Sequence, residues 1–224
     1  MSERLEAEIY TTILFDLDGT LTDPKPGITR SVQYALRRLG IREDDLERLT
    51  PFIGPPLVES FARYYGLDAR TAQAALGYYR EYFAETGIFE NAVYPGIETL
   101  LARLRARGRT LAIATSKPAV YAERIAAHFG LAGSFSLIAG SELDGTRTAK
   151  GEVIAYALDA LPAVARSACV MVGDRMHDIA GARENAIASV AVAYGYGSVE
   201  ELRAAEPTHL VHTVAELERL LVGE

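Results

Sequence analysis

The sequence predicts an α/β protein with a parallel sheet and an inserted helical segment. Short apolar runs typical of strands alternate with helix-like stretches through most of the 224 residues, which favours parallel strands joined by right-handed crossovers. Several of these runs are continuously apolar, as expected for strands covered on both faces. The alternation stops between residues 24 and 93, where only helices and loops are predicted.

The first predicted strand, residues 11–16, leads into a pair of acids. Asp16 and Asp18 are two residues apart, so in a regular strand both side chains would point to the same face. Two close carboxylates repel each other unless a cation lies between them or one takes a proton. Gly19 follows and permits a sharp turn of the backbone. A plain Asp-Gly surface turn is the alternative interpretation of these residues.

The next segment is predicted to be a helical subdomain, because a loop of that length is far outside the usual range. Prolines and a glycine at 24–27 predict a break, after which Thr29 or Ser31 starts a helix ending near residue 39. Then come a helix at 42–49, a rigid proline loop at 50–56, and helices at 57–65 and 69–86, the last with Asp68 as N-cap. The predicted domains are a core, residues 1–23 and 94–224, and an insert, residues 24–93.

Beyond the insert, helices and strands alternate again. The predicted strands are residues 110–114, 136–139, 168–172, 188–192 and 210–211. The predicted helices are residues 97–107, 119–128, 150–160, 176–185 and 214–222. Because helices join consecutive strands, the strands are expected to run parallel, with their carboxyl ends at one edge of the sheet.

The composition of the chain indicates which binding partners and which cellular location to expect. The formal net charge of −7 disfavours nucleic acid polymers and anionic membranes as partners. Apolar residues make up 49% of the chain, yet no apolar run approaches the ~18 residues of a membrane span. The single cysteine, Cys169, excludes an internal disulfide framework, and the first ten residues lack the apolar centre of a signal peptide. We therefore expect a cytoplasmic protein.

Candidate functional residues follow four of the predicted elements. They are Asp16, Asp18, Thr115, Ser116, Lys150, Asp174 and Asp178. In a parallel sheet, the residues that follow strands converge at the carboxyl edge. Carboxylates, hydroxyls and a lysine are the groups that phosphoryl transfer requires, with Mg²⁺ to neutralise the attack of one anion on another.

These residues resemble, in order, the four motifs of the haloacid dehalogenase (HAD) phosphohydrolase superfamily. Asp16-Leu17-Asp18-Gly19-Thr20 matches the first motif, DxDGT, and Thr115 ends an apolar strand as in the second. Lys150 opens a helix as in the third, and Gly173-Asp174-Arg175-Met176-His177-Asp178 matches the fourth, GDxxxD. The resemblance implies a Rossmann-like parallel core with an all-helical cap inserted after the first strand.

By position, the resemblance implies roles for the four acids. Asp16 would be the nucleophile and a Mg²⁺ ligand, and Asp18 the general acid/base, with its backbone carbonyl on the metal. Asp174 would bind the metal directly, and Asp178 directly or through water. An acid two residues after the nucleophile is typical of the phosphatases and is missing from the dehalogenases, so Asp18 indicates a phosphatase.

The remaining roles concern the phosphoryl group and the rest of the substrate. Thr115, Ser116 and the turn amide of Gly19 would bind phosphoryl oxygens, and Lys150 would bridge the nucleophile and the phosphate. Phe52 in the insert is the candidate for stacking on a base, with an anchor of its own loop as the alternative.

The finer interpretation is a Mg²⁺-dependent phosphomonoesterase of a small phosphorylated metabolite, with protein partners left open. The run Phe52-Ile53-Gly54-Pro55-Pro56-Leu57 resembles the 5′-nucleotidase-like branch, which is close to the phosphoglycolate phosphatases. A nucleoside 5′-monophosphate is preferred over 2-phosphoglycolate, because the insert is rich in aromatic residues. A β-phosphoglucomutase-like phosphomutase and a non-catalytic phosphate-binding regulator are the alternatives.

Three basic residues near the predicted motifs keep two interpretations each. Lys117 and Arg147 are either phosphate contacts or solvated surface cations. Arg175 either lines the site or lies outside it, and the stretch 195–197 is interpreted as a simple turn.

Overall fold

The computed structural model describes residues 10–163 and 165–223, and the chain divides into two compact units. Unit 1 combines the residues up to Leu21 with those from Val93 onward, and unit 2 comprises Thr22–Ala92. Among the described residues, no helix is both long enough and apolar enough to cross a membrane.

The strands form one large sheet and one small one. They are β1 (Thr12–Phe15), β2 (Thr22–Asp23), β3 (Ala92–Val93), β4 (Thr110–Pro118), β5 (Leu137–Ser141), β6 (Cys169–Gly173), β7 (Ala188–Val192) and β8 (His209–Val211). The large sheet has the order β5-β4-β1-β6-β7-β8 with all pairings parallel, and β2 pairs with β3. The chain builds outward from β1 first to one side and then to the other. The strand order therefore reverses at β1, the place where open α/β sheets bind ligands.

The helices follow the strands as predicted for crossovers. Unit 2 contains α1 (Lys25–Arg38), α2 (Leu57–Tyr65) and α3 (Ala69–Glu85). Unit 1 contains α4 (Ile97–Ala106), α5 (Ala119–His128), α6 (Lys150–Ala160), α7 (Met176–Glu184), α8 (Val199–Ala204) and α9 (Val214–Val222). These elements give the predicted α/β architecture.

The core of unit 1 lies on both faces of the sheet. Ile13, Leu14 and Phe15 of β1 are fully buried, which is why the sequence of this strand is continuously apolar. Leu14 packs in one cluster with Met171 of β6 and Ile154 of α6, so this face is covered by the helix that Lys150 opens.

Unit 2 has its own core, and aromatic rings make up much of it. Phe52 packs edge-on against Phe61 at a centroid distance of 5.0 Å, and Tyr79 stacks on Phe83 at 5.3 Å. The Asp68 side chain accepts a hydrogen bond from the Thr71 N–H at 2.7 Å, which confirms the predicted N-cap of α3.

The start of α1 differs from the prediction. The helix begins at Lys25 instead of Thr29 or Ser31, with Pro26 in its first turn, so the predicted break at 24–27 is wrong. Proline fits the first turn because the N–H that it lacks would have no helical partner there. Asp23 also accepts a hydrogen bond from the Lys25 N–H at 3.1 Å, which fixes the entry of the chain into the helix.

Two short elements also differ. The predicted helix 42–49 is a 3₁₀-helix at Leu46–Phe52, which extends into the predicted loop 50–56. Helix α8 was not predicted, although Ser198 caps it by accepting a hydrogen bond from the Glu201 N–H at 3.1 Å. The Ser198-x-x-Glu201 spacing is a sequence signal for a helix start that would have located it.

Candidate active site

Three buried acids of unit 1 meet at the carboxyl edge of the sheet. Each of Asp16, Asp174 and Asp178 offers a carboxylate oxygen, and these oxygens lie within 4.8 Å of one another. Asp16 follows β1 and Asp174 follows β6, and the register that pairs Phe15 with Val172 brings the two acids side by side. Parallel pairing therefore assembles a cluster from residues more than 150 positions apart.

Lys150 joins this cluster from the start of α6. Its Nζ lies 2.9 Å from Asp16 Oδ1 and 2.8 Å from Asp178 Oδ1, and it donates a hydrogen bond to the Ala114 carbonyl at 3.1 Å. Burial alone would lower the pKa of Lys150, but the charges of Asp16 and Asp178 outweigh burial and raise it above its usual range. Lys150 is therefore a fixed cation between two carboxylates.

Asp174 is almost completely buried. One carboxylate oxygen accepts a hydrogen bond from the Tyr196 N–H at 2.7 Å, and the other lies 3.4 Å from Thr20 Oγ1. Gly19 has a φ of 79°, and a Cβ at this position would overlap the Asp174 carboxylate. Burial and the charges of the neighbouring acids raise the pKa of Asp174 well above its ordinary value. A cation at the cluster would reverse this effect.

Asp178 lies in the first turn of α7 and accepts a hydrogen bond from the Arg175 N–H at 3.0 Å. Burial raises the pKa of Asp178 to about 6, although the charge of Lys150 acts in the opposite direction. The Arg175 guanidinium instead pairs with Glu201 at 2.9 Å, outside the cluster.

Asp18 lies beside the cluster with a cation of its own. Its Oδ2 lies 2.8 Å from Lys117 Nζ, and its Oδ1 is buried without a hydrogen-bond partner among the described residues. Burial raises the pKa of Asp18, and the Lys117 charge opposes this rise. The Lys117 side chain is only 7% exposed, so of its two interpretations the solvated surface cation is wrong.

Thr115 and Ser116 lie on β4, next to β1 in the sheet. Thr115 is 2% exposed, and its Oγ1 accepts a hydrogen bond from the Lys117 N–H at 3.3 Å. The Ser116 carbonyl accepts a hydrogen bond from Ser141 Oγ at 2.8 Å, which ties this end of β4 to β5. The predicted strand stopped at residue 114, but β4 continues to Pro118, so both residues lie within the strand that pairs with β1.

Phe52 belongs to unit 2 and is not available for stacking. It is 1% exposed and is surrounded by Phe61, Tyr64 and Tyr65 at centroid distances of 5.0, 5.5 and 6.1 Å. A ring enclosed by aromatic neighbours has no free face for a base. The prediction of Phe52 as a substrate-binding residue is therefore corrected, and the alternative, an anchor of its own loop, fits its surroundings.

Sequence reasoning missed the connection between β7 and α8. The stretch 195–197, interpreted as a simple turn, supplies the Tyr196 N–H that binds Asp174. A Cβ on Gly195 would overlap both Asp174 and the Gly19 carbonyl. The signal was available as two glycines directly after a strand that neighbours β6. The Arg147 guanidinium pairs with Glu142 and lies 3.9 Å from the ring centroid of Tyr156 in α6.

The donor set of the cluster fits a hard divalent cation. Three carboxylates within 4.8 Å offer only oxygen ligands, the type that Mg²⁺ prefers. Lys150 compensates Asp16 and Asp178, whereas Asp174 forms no ion pair with any residue in the described part of the chain. The buried charge left at Asp174 is what a bound cation would neutralise.

Comparison with known proteins agrees with this geometry. Residues 10–185 match the model of a family described as haloacid dehalogenase-like hydrolase. The chain belongs to this family. It is therefore a hydrolase of the HAD class, as the order of the four motifs predicted.

Relatives of this HAD protein carry several names. A 5′-nucleotidase of Pseudomonas aeruginosa is 55% identical over 95% of this chain and 96% of its own length. The tyrosine-protein kinase PtkA of Mycobacterium tuberculosis is 40% identical over 93% of this chain and 72% of its own length. The crystal structure of a predicted phosphatase from Clostridium acetobutylicum superimposes with a TM-score of 0.91 at 46% identity, covering 96% of this chain and all of the other. Bacterial phosphoglycolate phosphatases are less similar, at 28–31% identity.

Proposed function

We propose that the protein is a Mg²⁺-dependent phosphomonoesterase that works through an aspartyl-phosphate on Asp16. One observation carries this proposal. Lys150 bridges Asp16 and Asp178 at 2.9 and 2.8 Å, while Asp16, Asp174 and Asp178 offer oxygens within 4.8 Å of one another. A carboxylate nucleophile beside a fixed cation and a metal-binding acid cluster is an arrangement suited to phosphoryl transfer.

In the first step, a carboxylate oxygen of Asp16 attacks phosphorus while the bond from phosphorus to the ester oxygen breaks. Asp18 donates its proton to the departing oxygen, which leaves as an alcohol. The pKa of Asp18, raised by burial against the charge of Lys117, favours the protonated form that this step needs. Its unpartnered Oδ1 leaves one oxygen of this acid available for proton transfer.

In the second step, water hydrolyses the aspartyl-phosphate. Asp18, now ionised, accepts a proton from the attacking water, and the bond between phosphorus and Asp16 breaks. Inorganic phosphate leaves, and both acids return to their starting states. The same group acts as acid and then as base, as microscopic reversibility requires.

Mg²⁺ would be held by Asp16, Asp174 and Asp178 together with the backbone carbonyl of Asp18. When bound, it would supply positive charge that offsets the repulsion between Asp16 and the phosphoryl oxygens. Lys150 would contribute a second positive charge, since its ammonium group is held against Asp16 by an ion pair. Thr115, Ser116 and the amide of Gly19 would donate hydrogen bonds to the phosphoryl group.

We further propose a nucleoside 5′-monophosphate as the substrate. The 5′-nucleotidase of Pseudomonas aeruginosa supports this choice, because its identity to this chain is 55% whereas that of the phosphoglycolate phosphatases is 28–31%. The relative named tyrosine-protein kinase favours a second candidate, transfer of the phosphoryl group to a protein tyrosine in place of water. Both reactions would use the same residues, but the second would take its phosphoryl group from ATP, with ADP as the leaving group, and pass it to a tyrosine hydroxyl.

The test is a Mg²⁺-dependent assay of phosphate release with nucleoside 5′-monophosphates and 2-phosphoglycolate as parallel substrates. We expect kcat/KM to favour the nucleotides by at least about tenfold, equal to about 1.4 kcal/mol. A preference of that size for phosphoglycolate would reverse the choice of substrate and leave the phosphatase standing. No phosphate release from any monoester, together with labelling of a tyrosine peptide by γ-phosphate-labelled ATP, would favour the second candidate.

A further inference from the structure

The connection between β7 and α8 contacts two of the loops that carry the candidate active site. The Tyr194 hydroxyl donates a hydrogen bond to the Thr20 carbonyl at 2.9 Å, in the loop that follows β1. Two residues later, the Tyr196 N–H donates to Asp174 Oδ2 at 2.7 Å, in the loop that follows β6. One short stretch of backbone therefore holds these two loops together.

The Tyr194 side chain is fixed in this position. Its ring packs edge-on against Tyr94 at a centroid distance of 5.1 Å. Burial, reinforced by the charge of Asp174, raises the pKa of Tyr194, so its hydroxyl stays a hydrogen-bond donor. The donor then has a single geometry, which holds the Thr20 carbonyl and the turn around it.

Thr20 and the neighbouring glycines extend this connection to Asp174. Thr20 Oγ1 lies 3.4 Å from Asp174 Oδ1, so the residue whose carbonyl Tyr194 holds also touches the acid. Gly195 and Gly197 approach Asp174 so closely that a Cβ on either would overlap its atoms. The close approach explains why glycines flank Tyr196, since any side chain there would displace the acid.

We propose that residues 194–197 position the Asp174 carboxylate for metal binding, with Tyr194 as a positioning residue that acts through Thr20. The inference rests on the proposed function in one respect, the role of Asp174 as a metal ligand. Tyr194 does not touch the metal ligand oxygens itself. Its hydrogen bond holds the loop that contains Thr20. The Thr20 hydroxyl and the Tyr196 N–H then set the direction of the Asp174 carboxylate.

The experiment is calorimetric titration of substrate-free protein with Mg²⁺, comparing wild type with Tyr194→Phe. The substitution removes only the hydroxyl and keeps the packing of the ring against Tyr94. Loss of groups that orient metal ligands costs 10–100-fold in affinity, and we expect a Kd about 10-fold weaker. Tyr10→Phe is the matched control, since it also removes one hydroxyl from a buried tyrosine of unit 1, hydrogen-bonded to His209 at 3.1 Å. Its Kd should match wild type.

A second measurement separates positioning from general loss of structure. The Mg²⁺ concentration that gives half-maximal activity should rise in Tyr194→Phe by the same factor as the Kd, with kcat restored at saturating Mg²⁺. Gly195→Ala should weaken Mg²⁺ binding at least as much, because its Cβ would displace Asp174.

A Kd for Tyr194→Phe within about twofold of wild type would overturn the inference, because orienting groups have effects well above that size. Failure of the proposed function would give a different result: the wild-type protein would bind Mg²⁺ but release no phosphate. In that case, the weakened Kd of Tyr194→Phe would still support the inference. Wild type that does not bind Mg²⁺ would overturn both.

Discussion

Unit 1 and unit 2 differ in how many of their charged residues are buried. Five charged residues are buried in the described part of the chain, and four of them belong to unit 1, where they form one cluster, Asp16, Lys150, Asp174 and Asp178. The fifth, Glu43, belongs to unit 2, where it accepts a hydrogen bond from the Tyr65 hydroxyl at 3.2 Å. Ion pairs of unit 2 such as Arg42–Asp44 and Arg38–Glu81 lie at its surface.

The difference indicates that unit 1 carries the catalytic groups. Buried charges usually cost stability relative to apolar packing, so a cluster of three acids and one lysine is weak evidence for a structural role. In unit 2, aromatic rings fill the interior, and its exposed ion pairs contribute little. A functional role for the buried charges of unit 1 and a structural role for those of unit 2 can be tested directly.

The largest effect should come from Asp16→Asn. The change removes the proposed nucleophile with almost no change of volume, and we expect phosphate release to fall by about 10³-fold or more. The unfolding temperature should stay close to that of wild type, because the relief of repulsion from Asp174 and Asp178 offsets the loss of the ion pair with Lys150. Steady-state assays at saturating Mg²⁺ measure the first effect, and calorimetry measures the second. Retention of more than a few per cent of the wild-type rate would contradict the nucleophile assignment.

Glu43→Gln is the matched control for this prediction, since it neutralises the buried acid of the other unit. It weakens the hydrogen bond from Tyr65 and the ion pair with Arg48, so we expect a loss of about 1–2 kcal/mol. For a protein of this size, that loss lowers the unfolding temperature by about 2–8 °C. The rate of phosphate release should stay within about twofold of wild type, because no catalytic group is lost. Equal loss of rate in the two variants would remove the contrast between the units.

An intermediate effect is expected from Phe52→Ala. The ring is fully enclosed by aromatic neighbours, and removing such a side chain costs about 3–5 kcal/mol. Denaturant unfolding should therefore shift to lower urea, with a smaller shift for Phe52→Leu, while the ratio of kcat/KM between nucleotide and phosphoglycolate stays constant. A ratio that falls tenfold without loss of stability would instead support the original prediction of Phe52 as a stacking residue.

The sequence located most of the candidate site because its residues follow locally recognisable elements. Asp16 and Asp174 come directly after apolar strands, and Lys150 opens a helix. Thr115 follows the apolar stretch of β4, although the strand itself continues to Pro118. Once the strands are parallel, their register alone brings these residues to one edge. Local pattern and sheet topology predicted that these residues converge, and the resemblance to the HAD motifs supplied their individual roles.

The parts that could not be predicted depend on contacts between distant segments. The sequence left Lys117 as either a phosphate contact or a surface cation, and only the fold shows that its ammonium reaches Asp18. The Tyr196 N–H meets Asp174 across 22 residues of chain, and the two flanking glycines signal a close approach of the backbone without indicating its partner. Phe52 failed for a similar reason, because an aromatic residue in a loop has the same sequence signal whether it faces ligand or core.

The smallest predicted effect is a pH dependence of the stabilisation by Mg²⁺. Burial raises the pKa of Asp178 to about 6 in the metal-free protein, so the folded state binds this proton more tightly than the unfolded chain. The resulting stabilisation is fully present below the carboxyl's unfolded pKa and is lost as pH rises through about 6. Asp174, whose pKa is also raised, contributes in the same direction. Metal-free protein should therefore become less stable as pH rises from about 5 to about 7.5.

Mg²⁺ should reverse this loss, because it binds the ionised carboxylates and must displace protons at low pH. The increase in unfolding temperature on adding saturating Mg²⁺ should be about 2–4 °C larger at pH 7.5 than at pH 5.5, equal to about 1 kcal/mol. Scanning calorimetry in chelator and in Mg²⁺ at the two pH values measures it. Asp178→Asn removes the titrating group and should reduce the difference, whereas Glu43→Gln should not. An increase in unfolding temperature that is the same at both pH values would mean that Mg²⁺ does not bind the buried acids of unit 1. The functional role assigned to these acids would then be wrong.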